Sequence, residues 1–242
     1  MSDTPKFAAA PKPKRFYTAA EVVEHGEKFG IALDKRPVRT PGKALLSVAD
    51  RRLAQAMAAE WEAQRDVIDA ATMPLTRIVN TAIDGVTGRE DEIRDDIAKF
   101  AGSDLLCYRA EHPTALIERQ SAAWDPVLDW VTETTGARLR VTDGLMPVAQ
   151  DPAEIIKIRA TLDGADALTL TGLHIVTTLT GSAVLALALL RGRCSPGTIW
   201  AHAHLDEDWQ VEQWGHDEEA AERRAKRFVE FSAAASILLG AD

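Results

Sequence analysis

The stretch that decides the fold is ALTLTGLHIVTTLTGSAVLALALL, residues 167–190, which contains no formally charged side chain. It is long enough to cross a bilayer as one helix. However, residues 167–180 carry five threonines and His174, and the Gly181-Ser182 pair is a common place for a helix to break. We therefore predict a buried helix or helix pair in the core of a globular protein, in preference to a membrane span.

The rest of the composition agrees with a globular fold. Of the 242 residues, 46% are hydrophobic, 27% are charged and only 6% are aromatic, which is typical of a soluble, helix-rich protein. This length allows one large domain or two small ones. The formal net charge of −9 disfavours nucleic-acid binding, because that function needs a basic surface.

Sequence motifs for common chemistries are missing. Cys107 and Cys194 have neither zinc-finger nor redox-motif spacing and are predicted to be reduced thiols. There is no phosphate-binding loop, no dinucleotide fingerprint and no nucleophile elbow. The sequence therefore gives no positive sign of nucleotide binding or acyl transfer.

Upstream of the central stretch, the pattern changes from strands to helices. Residues 15–48 read as short strands and turns, with a turn at Asp34-Lys35. A helix with Asp50 as its N-cap follows, and another starts at Pro74. Helices are also expected at 113–135, 152–162, 165–192 and 196–239, with a short strand in 137–148. The predicted fold is α+β, with a flexible arm at 1–14, an N-terminal α+β domain at 15–75 and a mostly α-helical C-terminal domain at 76–242.

Downstream of the central stretch, AHAHLDEDWQVEQWGHDEEA, residues 201–220, concentrates three histidines, two tryptophans and seven acids. His202 and His204 would suit a metal on a strand, but on a helix they diverge by about 200°. The pairs spaced by four residues match no metal motif. A metal-dependent hydrolase built around His202 and His204 is therefore the alternative function and not the favoured one.

The same segment forms an apolar stripe if residues 200–228 are one helix. Two carboxylates, Glu207 and Glu218, lie inside that stripe, where an unpaired charge would cost several kcal/mol if buried. Either an internal arginine pairs with them, or the surface is solvated, or it binds another protein. Trp209 lies off the stripe and is predicted to be an exposed aromatic anchor. The stripe comprises Trp200, Ala203, Glu207, Val211, Trp214, Glu218, Ala221, Ala225 and Phe228, and the candidate internal partners are Arg77, Arg94 and Arg109.

Eight segments in the same order resemble one family, the assembly chaperones for the alpha subunit of F-type ATP synthase (the mitochondrial "ATP-twelve" type and its bacterial relatives). The resemblance runs from Lys14 to about Phe231 and so covers nearly the whole chain. The segments are KRFY, LDKRPVRTPGK, AEWEAQ, MPLTRIVNTAID, DLLCYRA, WDPVLDW, LTGLHIVTTLTGSAVLALAL and LDEDWQVEQWG.

The resemblance implies a two-domain chaperone with no enzymatic activity and no cofactor. Its partner would be the unassembled alpha subunit, held until that subunit meets beta, with no nucleic acid and no stable membrane insertion. The family's acidic patch maps onto LDEDWQ and leaves the functional carboxylate at Asp206 or Glu207. The N-terminal segment lacks the pattern of a transit peptide, which predicts a bacterial cytoplasmic member. The predicted partner-binding residues are Asp206, Glu207, Trp209, Gln210, Glu212, Trp214 and Glu218.

Overall fold

The N-terminal part of the molecule is a small antiparallel sheet. The computed structural model describes residues 12–144, 146 and 148–240, so residues 1–11 of the predicted arm lie outside the described residues. The central strand pairs along its full length with the first strand, and its other edge pairs with two short strands. The strands are β1 (Ala20–His25), β2 (Lys28–Leu33), β3 (Arg36–Pro37) and β4 (Ser47–Val48).

The turn between β2 and β3 is the one predicted at Asp34-Lys35. Both residues have positive φ, 46° and 68°, as a two-residue hairpin turn matching the twist of its strands requires. The Asp34 carboxylate accepts hydrogen bonds from the backbone N–H groups of Thr18 and Ala19. These bonds attach the turn to the segment that precedes β1.

Two helices pack beside this sheet, α1 (Arg51–Glu62) and α2 (Pro74–Thr81). The predicted cap is confirmed, because the Asp50 side chain accepts from Arg52 N at the start of α1. Pro74 is the first residue of α2, where its missing N–H does not matter. Glu60 of α1 joins the two helices by accepting hydrogen bonds from the free N–H groups at the start of α2.

The remainder of the described chain is mainly helical, which confirms the predicted α+β class. The predicted segment 165–192 forms two helices, while 196–239 forms three rather than one. Two short strands, β5 (Tyr108–Arg109) and β6 (Thr142–Asp143), pair in parallel. The helices are α3 (Glu90–Ala101), α4 (Thr114–Thr135), α5 (Pro152–Ala160), α6 (Ala167–Thr180), α7 (Ala183–Leu190), α8 (Pro196–Ala203), α9 (Leu205–Trp214) and α10 (Glu218–Leu239).

Helices α6 and α7 are the buried helix pair that was one of the two predicted forms of this stretch, and the pair is called the central hairpin below. Gly181 ends α6 at a φ of 70°, and the Ser182 side chain caps α7 by accepting from Leu185 N. Residues 183–189 are all buried, and α3, α4, α8 and α10 pack around α7. Within the described ranges, no helix has the length and apolar character needed to cross a membrane.

A buried carboxylate joins this hairpin to the loop before β5. Asp104 is fully buried and accepts from Leu106 N and Val184 N, each at 3.1 Å. The second bond lies at the start of α7, where helix N–H groups lack internal partners. Desolvation raises the pKa of Asp104 to about 6, although hydrogen bonds from Ser182 and nearby backbone groups act in the opposite direction.

Two hydrophobic clusters fill the interior, one under the sheet and one around the central hairpin. Leu75, Leu168 and Ile237 pack against both clusters. The domain boundary predicted near residue 75 therefore falls where the two clusters meet, and it stays a prediction. Residues 12–14 of the predicted arm run beside the segment before α2, with Lys14 bridging Val67.

Candidate partner-binding surface

The helix predicted across residues 196–239 is broken twice. The first break is at His204, between α8 and α9. The second is at Gly215, whose φ of 90° ends α9, after which the Asp217 carboxylate caps α10 by accepting from Glu219 N and Ala220 N. The chain therefore reverses direction, and α9 and α10 form a second helical hairpin.

Between α9 and α10 lies an open groove of about 740 Å³. Trp200 and Phe228 meet at one end, with ring centroids 5.2 Å apart, and Trp214 lies beside the turn at the other end. The stripe predicted on one helix is thus divided between the two walls of the groove. Seven of its nine members line the groove: Trp200, Glu207, Val211, Trp214, Ala221, Ala225 and Phe228.

Two aromatic side chains of this groove are unusually open to solvent. Trp214 is 79% exposed and Phe228 is 42% exposed, whereas large apolar side chains are usually buried. The prediction that Trp209 is the exposed anchor is wrong, since Trp209 is half-buried. The break at Gly215 makes Trp214 the last residue of α9, and Trp214 is the exposed tryptophan of this helix.

Three acids of α9 are attached to other parts of the fold, and two of them, Asp206 and Glu212, belong to the predicted binding residues. Asp206 accepts a 2.8 Å hydrogen bond from the buried Gln120 amide of α4. Glu212 forms a bidentate ion pair with Arg119, also of α4. Asp208 pairs with Arg224 across the α9–α10 hairpin. These acids position α9 between α4 and α10.

Glu207 and Glu218 are both exposed, so they are not the buried carboxylates that the single-helix stripe implied. Neither forms an ion pair within the described part of the chain. Of the alternatives left open by the sequence, internal pairing with one of the three candidate arginines is therefore wrong, because each of them has another partner. Arg77 pairs with Glu230 at 3.6 Å, Arg94 with Asp91 at 3.0 Å and Arg109 with Asp125 at 2.8 Å.

Two histidines of this segment, His202 and His204, are at least partly buried. His204 is buried, and its Nδ1 donates to the Trp200 carbonyl oxygen at 2.9 Å. Burial lowers the pKa of both His202 and His204, which favours their neutral forms. No group of three or more metal-binding side chains occurs among the residues that the structure describes, so the hydrolase alternative has no ligand set there.

The arginines that α10 contributes to the groove were not among the predicted binding residues. Arg223, Arg224 and Arg227 lie along the groove beside the alanines of the stripe. Side chains spaced by three and four residues lie on one helix face. This spacing is the sequence feature from which the arginine-lined wall could have been predicted. Sequence alone did not show that this face turns back towards α9.

Comparison with known proteins agrees with this fold. Residues 14–132 match the family model described as ATP12 chaperone protein. A crystal structure from Agrobacterium tumefaciens, described as that of a candidate chaperone, is 46% identical with a TM-score of 0.89. The alignment covers 95% of this chain and 87% of that one. The chain belongs to the ATP12 chaperone family.

Other ATP12 relatives cover a similar share of the chain. Atp12 from Paracoccus denitrificans is 40% identical with a TM-score of 0.86, over 94% of this chain and 97% of that one. An aspartate-to-lysine mutant of that protein matches with the same TM-score at 39% identity. The mitochondrial protein atp12 of Schizosaccharomyces pombe is 24% identical over 232 residues, covering 89% of this chain and 79% of its own length. Membership of the ATP12 family identifies the chain as a chaperone of ATP synthase assembly.

Proposed function

We propose that the chain binds the unassembled alpha subunit of F-type ATP synthase and shields it until it assembles with beta. It acts by stoichiometric binding in the bacterial cytoplasm, without enzymatic chemistry and without a cofactor. The observation that carries the proposal is the open groove between α9 and α10, with Trp214 at its end. ATP12 family membership supports the choice of an ATP synthase subunit as partner.

The groove has the properties that a temporary holder needs. Exposed tryptophan is strongly enriched among residues that dominate binding energy at interfaces. Charged groups around such an anchor accelerate encounter and select the partner, while adding less to the affinity. A few strong contacts inside a charged rim allow the partner to be held and later released.

The seven predicted binding residues have different roles in this proposal. Glu207, Gln210 and Trp214 line the groove and are assigned to direct contact with the partner. Asp206 and Glu212 are bonded to α4 and are assigned to holding α9 in place. Glu218, exposed at the start of α10, and the half-buried Trp209 complete the set.

The test is titration of purified alpha subunit into the full chain by calorimetry, with Trp214→Ala as the variant. Loss of an exposed aromatic anchor is expected to weaken binding about 30-fold, equivalent to about 2 kcal/mol. The matched control is Phe16→Ala, because Phe16 is 72% exposed but belongs to the N-terminal segment. That variant is expected to bind as the wild type does.

Two results would contradict the proposal. If folded wild-type protein and alpha do not associate, alpha is not the partner. If both alanine variants bind as tightly as the wild type, alpha associates through another surface.

A further inference from the structure

The cationic side chains of the groove are already occupied. Arg224 is paired with Asp208, and Arg223 is paired with Glu219. Arg227 donates to the Leu179 carbonyl oxygen at 2.6 Å, at the end of α6, where the helix dipole favours a positive charge. A partner therefore finds these three charges engaged within the fold.

Glu207 differs from these three arginines in how its charge is surrounded. It lines the groove, is exposed and has no ion pair among the described residues. Arg224, although close enough to interact electrostatically, is hydrogen-bonded to Asp208. His204 is also near, but burial lowers its pKa and so disfavours its charged form. Asp217 also lines the groove, but its carboxylate accepts hydrogen bonds from the N–H groups at the start of α10. Among the described residues, Glu207 is therefore the groove carboxylate that the fold leaves without a bonded partner.

The shape of the groove favours a particular kind of chain segment. Ala221 and Ala225 are one helical turn apart on one wall, and their small side chains allow another backbone to approach closely. Val211 and Trp214 lie on the opposite wall. Helix α9 has 10 residues, which corresponds to about 15 Å or nearly three turns. These dimensions match a short helix laid between two others.

We infer that this groove seats an amphipathic helical segment of the alpha subunit, two to three turns long, with a lysine or arginine that pairs with Glu207. The inference rests on the proposed function and specifies its site. The apolar face of the segment packs against Trp214, Phe228 and the alanines, as in other helix-in-groove complexes. The basic side chain provides the cation that the fold does not supply to Glu207.

Filling the groove tests the shape of the site. Ala221→Trp places a large side chain where the helix would pack, while the control Ala122→Trp makes the same change at an exposed position of α4. With purified alpha subunit, Ala221→Trp is expected to raise Kd at least 30-fold and the control less than twofold. Circular dichroism verifies that both variants are folded.

Reversing the charge of Glu207 tests the inferred ion pair with a basic residue of the partner. Glu207→Lys is expected to raise Kd about tenfold at low salt, with a smaller ratio at high salt because the interaction is screened. Glu133→Lys, the same change at an exposed position of α4, is the control and should leave Kd within twofold. A photo-crosslinking residue at Gln210, on the groove wall, should capture a helical alpha peptide that contains a lysine or arginine.

The outcomes separate the two proposals. Failure of wild-type protein to bind alpha overturns both. Binding of alpha that is equally strong in Ala221→Trp and Ala122→Trp overturns the groove inference and leaves the proposed function standing. Equal affinities for Glu207→Lys and Glu133→Lys, or a cross-linked peptide without a basic residue, overturn the assigned charge pair.

Discussion

The molecule contains two helical hairpins of similar construction and opposite exposure. In both, a glycine with positive φ ends the first helix and a side-chain cap starts the second: Gly181 and Ser182 in α6–α7, Gly215 and Asp217 in α9–α10. Residues 183–189 are buried throughout, whereas nearly all of 212–229 is exposed. Local turn chemistry thus makes a hairpin, but it does not determine where the hairpin lies.

The two hairpins differ in the polarity of the surface of their second helix. Helix α7 is apolar on every side, so each of its faces can pack favourably against one of four neighbouring helices. The first half of α10 carries charged residues around a narrow apolar line, and complete burial would leave those charges without water. We therefore infer that the first hairpin stabilises the fold, and we propose that the second provides a surface for a partner.

The largest expected effect on the free energy of unfolding comes from a substitution in the buried hairpin. Leu185→Ala removes side-chain atoms from a fully buried position and should lower the free energy of unfolding by about 4 kcal/mol, including the cost of the cavity. Urea denaturation measures this loss in the free energy of unfolding. Trp214→Ala in the exposed hairpin is the control and should change that free energy by less than about 0.5 kcal/mol. Similar losses in both variants would contradict the proposed division of roles.

The next effect concerns the pH dependence of the buried hairpin. Because the pKa of Asp104 is raised to about 6, the folded state binds more protons than the unfolded state between pH 4 and pH 6. The contribution of Asp104 to stability is therefore highest below pH 4 and declines by about 2 to 3 kcal/mol as pH rises to 6. Urea denaturation at pH 4, 5, 6 and 7 measures this decline.

The matched variants for this experiment are Asp104→Asn and Asp217→Asn. Asp104→Asn cannot titrate, so the part of the slope that belongs to Asp104 should disappear. Asp217→Asn changes the cap of the exposed hairpin and should keep that part of the slope, because Asp104 is intact. If Asp104→Asn retains the wild-type slope, another group is responsible for the pH dependence.

A smaller difference in stability is expected between substitutions of two neighbouring carboxylates of α9. Asp206→Lys removes the acceptor of the buried Gln120 amide and should destabilise the fold by about 1 to 2 kcal/mol. Glu207→Lys changes an exposed side chain and should cost less than about 0.5 kcal/mol. Thermal denaturation should show a lower Tm for Asp206→Lys only, by about 2 to 8 °C. Equal shifts would mean that the contact with Gln120 contributes nothing measurable.

Several elements followed directly from local sequence. The turn at Asp34-Lys35, the cap at Asp50 and the helix start at Pro74 were predicted and are confirmed. The break at Gly181-Ser182 within the apolar stretch was also predicted. Each depends on the backbone preferences or hydrogen bonding of a few adjacent residues, and such preferences are visible in a single sequence.

The candidate surface was predicted less completely. The residues of the stripe were the correct set for the groove, apart from Ala203 and Glu218. Their arrangement was wrong, because the prediction continued one helix through His204 and Gly215. The exposed tryptophan was also misassigned to position 209 instead of 214.

The sequence by itself determined the fold class and the break within the central apolar stretch, because both depend on composition and periodicity. It also indicated the family, through a resemblance carried by eight segments in the same order. Only the tertiary structure decided that α10 turns back along α9, that Asp206 bonds to α4 and that Glu207 faces the groove. These features depend on contacts between residues far apart in the chain. Neighbouring residues set a local turn, but the position and exposure of a helix depend on the surfaces against which the whole chain can pack.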